Sequence, residues 1–252
     1  MVVGLVGAGN IARALARGWG DPVLATDAGS GRAAQLADEL GGRAAASNSE
    51  LAERADIVVL CHKPAQLEEV AREVAGRARV VASVLAGVTL ADLRAVYADT
   101  PAFRLMPNTP VEVRQGVTVL ARDPDADPAL QTEVVALFER LGAVFEIAEE
   151  QMDVAMALMG CAPAYLALVA QAQVDAAATR GMDPDVAARL VVETMGGTAE
   201  LLRARDHDAA AVRREVASPG GYTEQGLRAL EDAGVPEALH TAMDVVTAPR
   251  RA

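Results

Sequence analysis

Residues 1–16 read MVVGLVGAGNIARALA, and the fold follows from how this stretch is read. Val2–Val6 is a short apolar run of the kind that forms a strand buried on both faces. It breaks at Gly7-Ala8-Gly9-Asn10-Ile11-Ala12, a G-x-G-x-x-A pattern, and passes into the helical spacing of Ile11 and Leu15. Gly7 suits the tight turn, Gly9 lets a pyrophosphate come close to the backbone, and small Ala12 lets the helix pack against the strand. The helix that begins near Gly9 points its free N–H groups and its positive dipole end at the phosphates. A dinucleotide site is expected here, with Gly7, Gly9, Asn10, Ile11 and Ala12 against the cofactor.

Outward from this stretch the first 150 residues repeat the same alternation. Apolar runs at Val2–Val6, Val23–Thr26, Ile57–Cys61, Arg79–Val84, Val117–Ala121 and Val144–Ile147 are separated by helical stretches, among them Arg32–Leu40, Gln66–Ala75 and Ala129–Leu141. That order predicts an α/β fold, a Rossmann-type parallel sheet with helices on both faces. After about Glu150 the strand pattern stops. Asp153–Arg180 reads as one long helix ended by Gly181, and Asp183-Pro184 caps and starts the next, Val186–Ala204. Further helices are expected over about Ala209–Ala217 and Pro219–Ala233, with a last one after Gly234 and Pro236. The chain therefore divides into an α/β domain, 1–150, and an all-helical domain, 151–252.

Composition narrows the partners. The chain has 252 residues, is 52% hydrophobic and carries a formal net charge of −12, which disfavours nucleic acid and anionic membrane surfaces as partners. One Trp, three Tyr and three Phe leave little for base stacking. Cys61 and Cys161 form no CxxC pair, and no secretion signal precedes the first strand, so reduced thiols in a cytoplasmic protein are expected. His62, His207 and His240 have no ligand spacing, and no metal site is expected. Val154–Val174 carries no charge, yet it is rich in Ala, holds Gly160, Pro163, Gln171 and Gln173, and lacks basic flanks. A helix apolar all round is then one buried all round rather than a membrane span, and a second subunit is expected to bury it.

Four stretches carry candidate chemistry. Asp27 ends the second apolar run, twenty residues after Gly7, where an acid accepts hydrogen bonds from the adenosine ribose and repels a 2′-phosphate. NADH is expected over NADPH on that ground, with Arg32 nearby as the opposing influence. Lys63, the only lysine in the chain, follows the Ile57–Leu60 run with Pro64, at the crevice end of a parallel strand. It can donate to a ribose hydroxyl or a substrate carboxylate; its neighbour His62 is read as packing or surface. Arg104-Leu105-Met106-Pro107-Asn108-Thr109-Pro110 reads as a rigid loop presenting the Asn108 amide. Ser218-Pro219-Gly220-Gly221-Tyr222-Thr223 reads as a helix start, capped by Ser218 and begun by Pro219, whose two glycines bare N–H groups for a small carboxylate.

Taken together, the fingerprint, Lys63-Pro64, Ser83–Val88, RLMPNTP, Pro163-Ala164-Tyr165 and SPGG-x-T resemble the pyrroline-5-carboxylate reductase family, in that family's order, from Val2 to about Val235. The resemblance implies a helical domain that interlocks in a homodimer, or a larger homo-oligomer built from dimers. It implies reduction of 1-pyrroline-5-carboxylate, a small imine acid, to proline by NAD(P)H. By the same resemblance Asn108 lies near the nicotinamide and Ser218–Gly221 hold the carboxylate beside Tyr222. Thr223, with Lys63, is the candidate catalytic residue, its hydroxyl bonded to the ring nitrogen. The chain departs from the family at Met159-Gly160-Cys161-Ala162, where Ser-Gly-Ser-Gly is usual, and at Tyr222, where Thr or Ala is usual. These departures leave a related cyclic imine as an alternative substrate, and a non-catalytic nucleotide-binding regulatory role as an alternative function. The β-hydroxyacid dehydrogenases share the plan but use a lysine on the long helix, and residues 151–252 contain none.

Overall fold

The computed structural model describes residues 1–248, which form two compact units, Met1–Pro163 and a second beginning at Ala164.

The first unit is built on one eight-stranded sheet. Its strands are β1 (Val3–Val6), β2 (Val23–Thr26), β3 (Arg43–Ala44), β4 (Ile57–Leu60), β5 (Val81–Ser83), β6 (Ala102–Pro107), β7 (Gly116–Ala121) and β8 (Gly142–Ile147), in the spatial order 3-2-1-4-5-6-7-8. Between them run α1 (Asn10–Trp19), α2 (Arg32–Leu40), α3 (Asn48–Arg54), α4 (Leu67–Val74), α5 (Leu90–Val96) and α6 (Pro128–Glu139). Alternate strand residues feed two cores, as the pleat requires. Leu5, Ile57, Val59, Ala82, Phe103 and Leu105 pack with Leu15 and Trp19 of α1 and Val134, Leu137 and Phe138 of α6. Val6, Val58, Leu60 and Val81 pack on the other face with Leu51, Val70, Val74 and Leu93. Trp19 locks the first core: its indole N–H donates to the Leu137 carbonyl at 3.0 Å, and its ring meets Phe138 edge-on at 5.8 Å.

Register positions the site. Val6 lies opposite both Thr26 and Leu60, so β1, β2 and β4 end level and release Gly7, Asp27 and Cys61 side by side.

Two expectations for this unit are corrected. The sheet is not wholly parallel, because β7 runs antiparallel to β6 before β8 returns parallel to β7. The expected loop at Arg104–Pro110 is strand β6 as far as Pro107; only from Asn108 does the chain leave the sheet, into the 3₁₀ turn Thr109–Val113. Pro107 is tolerated because it is the strand's last residue, where one ladder N–H can be spared.

The expected single helix Asp153–Arg180 is also divided. After a 3₁₀ turn, Glu149–Gln151, come α7 (Met152–Ala155), a π-helical turn Met156–Gly160, and α8 (Ala162–Ala178). The π turn is closed by the Cys161 N–H donating to the Met156 carbonyl, 2.9 Å. The run Glu149–Ala178 is long and apolar enough to cross a membrane, and of its apolar 18-residue window only 17% is buried in the single chain.

The second unit continues through α9 (Pro184–Arg203), α10 (Ala209–Val216), α11 (Tyr222–Asp232) and α12 (Val235–Thr247). Asp183 caps α9 as expected, accepting from the N–H groups of Asp185 and Val186. Large apolar side chains stand exposed along it, including Leu166, Leu168, Val169, Leu190 and Val192.

Candidate coenzyme cleft and substrate turn

The level ends of β1, β2 and β4 open into a cleft of about 340 Å³. Its walls include Gly7, Ala8 and Gly9 from the first turn, Asp27, Ser30 and Arg32 from the second, and Cys61, His62 and Lys63 from the fourth strand's end. Gly7 has φ +103, and a Cβ there would stand 2.8 Å from the backbone of Cys61 and His62. Only glycine fits. A Cβ on Gly9 would meet nothing within 4 Å, so its face is open to a ligand. Gly9 is also the N-cap of α1, and the first helical bond joins the Arg13 N–H to its carbonyl. The N–H groups of Asn10, Ile11 and Ala12 are thereby left for an anion. Ala12 is fully buried against the sheet, as close helix packing requires. These features fit the pyrophosphate of a dinucleotide.

Asp27 does more for its own loop than the sequence suggests. One carboxylate oxygen accepts from the N–H groups of Gly29 (2.8 Å) and Ser30 (3.0 Å). The other accepts from the Ser30 hydroxyl (3.0 Å) and the Ala33 N–H (2.8 Å). Four donors fill the four acceptor positions of a carboxylate. The bond from Ala33, followed by those from Ser30 and Gly29, holds its pKa below the ordinary aspartate value. Asp27 is thus the organiser of the loop into α2.

Lys63 is exposed in the cleft wall, and Pro64 begins a short 3₁₀ turn, Pro64–Gln66. His62 bonds through Nδ1 to the Lys63 carbonyl at 2.9 Å. A carbonyl only accepts, so Nδ1 carries the proton and Nε2 is a bare acceptor. That Nε2 is buried without a partner, and burial lowers the pKa of the ring. Asn48, which the sequence reading missed, accepts from the Thr26 hydroxyl at 2.6 Å in the same cleft; its only signal is its place as the first residue of α3.

Asn108 follows β6, three strands along from β1 at the same edge of the sheet. It is 8% exposed, and its amide is spoken for. Oδ1 accepts from the Val117 N–H at 2.8 Å, and Nδ2 donates to the Met159 carbonyl at 3.1 Å. Asn108 therefore joins β6, β7 and the π turn, and one amide N–H remains for a ligand.

The turn at Ser218–Thr223, in the second unit, differs from the expected cap. The helix begins at Tyr222, its N-cap is Gly221, and no side chain caps it. Ser218 contributes its carbonyl, which accepts from the Gly221 N–H at 2.9 Å, and Pro219 lies within the turn rather than in the helix. Gly220 has φ +73 and its N–H is taken by the Glu224 carboxylate at 2.7 Å. The bare donors are thus the N–H groups of Tyr222, Thr223 and Glu224, not those of the glycines, because the first helical bond runs from Gln225 to Gly221. Thr223 is exposed, and the Tyr222 side chain stands 94% exposed.

Among the described residues no group of three or more His, Cys, Asp and Glu side chains is placed to hold a metal ion. Cys61 and Cys161 are free thiols, and burial pushes the Cys61 thiol well above the ordinary cysteine range.

Known proteins match both halves. A family model described as pyrroline-5-carboxylate reductase dimerisation matches residues 149–251, and one described as NADP oxidoreductase, coenzyme F420-dependent, matches residues 2–87. The chain is 31% identical to pyrroline-5-carboxylate reductase of Corynebacterium melassecola, over 95% of this chain and 94% of that one. It is 30% identical to the Escherichia coli protein of the same name, over 96% and 94%. The solved 1-pyrroline-5-carboxylate reductase of Streptococcus pyogenes superposes with a TM-score of 0.89 at 28% identity, covering 98% of this chain and 96% of that one. The Plasmodium falciparum pyrroline carboxylate reductase, solved with NADP bound, gives 0.87 at 25% identity, covering 98% and 95%. With these relatives matched along nearly their whole length, the chain belongs to the pyrroline-5-carboxylate reductase family.

Proposed function

We propose that the protein reduces 1-pyrroline-5-carboxylate to L-proline with NAD(P)H, a step of proline biosynthesis, in the cytoplasm. The observation that carries this reading is the Ser218–Thr223 turn, where the free N–H groups of the first turn and a threonine hydroxyl stand together at the positive end of α11. A cyclic imino acid offers a carboxylate for the former and a ring nitrogen for the latter. A nicotinamide held in the cleft would supply the hydride for the C=N carbon, and the ring nitrogen would take a proton to complete the amine. The chain's residues position and polarise. The Gly7–Ala12 turn, Asp27, Lys63, Pro64 and Asn108 hold the coenzyme. Thr223 orients the imine, its bond to the nitrogen strengthening as the nitrogen becomes more basic. A threonine hydroxyl is too weak an acid to be the proton's ultimate source, which is water.

NADH is the preferred coenzyme in this reading. The Asp27 carboxylate keeps its charge at the ribose end of the cleft and repels a 2′-phosphate, against the cation of Arg32. The assembly is a homodimer, or a larger oligomer made of dimers. Support comes from the dimerisation model over residues 149–251 and the exposed apolar side chains of α8 and α9. The same partner surface, rather than a bilayer, covers Glu149–Ala178.

The test is NADH oxidation by purified protein with pyrroline-5-carboxylate, set beside its six-membered-ring homologue. Proline formation with the first supports the reading. Exclusive turnover of the second supports a related cyclic imine instead, a reading favoured by the Tyr222 ring beside the turn.

A further inference from the structure

The turn before α11 is gripped on both sides by side chains of the helix it introduces. The Gly220 N–H donates to Glu224 Oε2 at 2.7 Å, and the Gly220 carbonyl accepts from Gln225 Nε2 at 3.2 Å. Glu224 spends its other oxygen on Arg228, Oε1 to Nη2 at 2.8 Å. The bond from Gly220, then the Arg228 charge, keep the Glu224 carboxyl below its ordinary range. These contacts fix the peptides on either side of a left-handed glycine, the one residue of the turn with the most freedom to lose. The peptide that follows carries the turn into Gly221, Tyr222 and Thr223.

A carboxylate beside a turn that binds carboxylates is an odd choice on charge alone. Its two oxygens, however, are committed to Gly220 and Arg228, and Arg228 balances its charge. We propose that Glu224 is a positioning residue for substrate binding: it clamps the Gly220 N–H so that the Tyr222 and Thr223 N–H groups are set in advance for the substrate carboxylate. Gln225 holds the other side of the same glycine, and Arg228 screens the clamp. This rests on the reading of the turn as the substrate's carboxylate site.

Steady-state kinetics of the full-length enzyme test it, with Glu224→Ala, Glu224→Gln and Gly220→Ala beside the wild type. The carboxylate is bound alike before and during hydride transfer, so losing the clamp raises KM and leaves kcat nearly unchanged. For Glu224→Ala, KM for the imino acid is expected to rise about tenfold, the effect of one net hydrogen bond, with KM for NADH and the melting temperature unmoved. Glu224→Gln keeps an acceptor oxygen at the same reach and should recover most of the affinity. Gly220→Ala strains the left-handed turn and should raise the same KM. If Gly220→Ala raises KM while Glu224→Ala does not, the clamp is overturned and the substrate turn stands. If neither variant changes KM, the reading of the turn itself fails. A Glu224→Gln enzyme as weak as Glu224→Ala, or a KM rise shared with NADH and a falling melting temperature, also overturns the proposal.

Discussion

The Asn108 side-chain amide donates to the Met159 carbonyl at 3.1 Å while its oxygen accepts from the Val117 N–H at 2.8 Å. One buried asparagine thus ties the end of β6 and the start of β7 to the π turn Met156–Gly160. The π turn contains Met159 and Gly160 of the stretch that departs from the family, so that stretch is held to the edge of the sheet where β1, β4 and β6 end. Asn108→Ala leaves the Val117 N–H and the Met159 carbonyl without their partner, which costs about 1–3 kcal/mol for a buried group. Thermal unfolding should shift down accordingly, and kcat should fall as well. Asn108→Asp keeps the acceptor but loses the donor, so it should restore the Val117 bond and leave the π turn loose.

In the proposed reading the charge of Asp27, the residue that organises the loop into α2, sets coenzyme choice. Asp27→Ser removes the charge and is expected to narrow the NADH-over-NADPH preference by about tenfold or more, the scale of one charge-assisted interaction. Dissociation constants for both coenzymes, measured by fluorescence, check this. Tighter NADPH binding by the unmodified protein would hand control to Arg32.

His62 carries a pH dependence whose sign follows from burial. Its pKa is lowered in the folded state, with desolvation the main cause. The unfolded chain therefore binds a proton first as pH falls below about 6.5, and stability declines from there down to the folded-state pKa. His62→Val removes both the titration and the unpartnered Nε2. Denaturant titrations at several pH values between about 5 and 7 should show that slope in the wild type and lose it in the variant.

Much of the first unit was legible because its signals are local. Val23–Thr26 and Ile57–Leu60 are continuous apolar runs, as strands buried on both faces must be, and Arg32–Leu40 forms a helix with those bounds. Strand β6 was hidden because two prolines within four residues imitate a loop, while its partners β5 and β7 come from distant sequence. The π turn has no compositional mark: Met156–Gly160 continues the apolar run, and one extra residue per turn appears only in the hydrogen bonds. At the candidate site the glycines were readable, whereas the partners were not. The motif Ser-Pro-Gly-Gly announces a turn, but that Glu224 rather than a ligand takes the Gly220 N–H depends on a side-chain rotamer. Asp27 was assigned to the ribose by its spacing, and the Gly29–Ser30 amides that occupy it are an Asx turn that the Asp-Ala-Gly-Ser order already contains.

Leu168 tests the assembly. Its side chain is 69% exposed in the single chain, so an aspartate there costs an isolated subunit almost nothing. If α8 is buried against a second copy, Leu168→Asp places an unpaired carboxylate in an apolar interface at a cost of several kcal/mol. Sedimentation should then show monomer or aggregate in place of the wild-type oligomer. A dimer of undiminished stability would remove α8 from the interface.

The most direct measurement is the single-turnover transfer of deuterium from C4-deuterated NADH to pyrroline-5-carboxylate, followed by mass analysis of the amino acid, in the wild type and in Thr223→Ala. The expected result is deuterated proline from the wild type and a transfer slowed about ten- to a hundredfold by the substitution, since a hydrogen bond to a charging nitrogen contributes about 1.5–3 kcal/mol. NADH binding should be untouched, and Thr223→Ser should recover part of the rate. Deuterated proline formed by Thr223→Ala at the wild-type rate, or no deuterated proline from the wild type, would contradict the account.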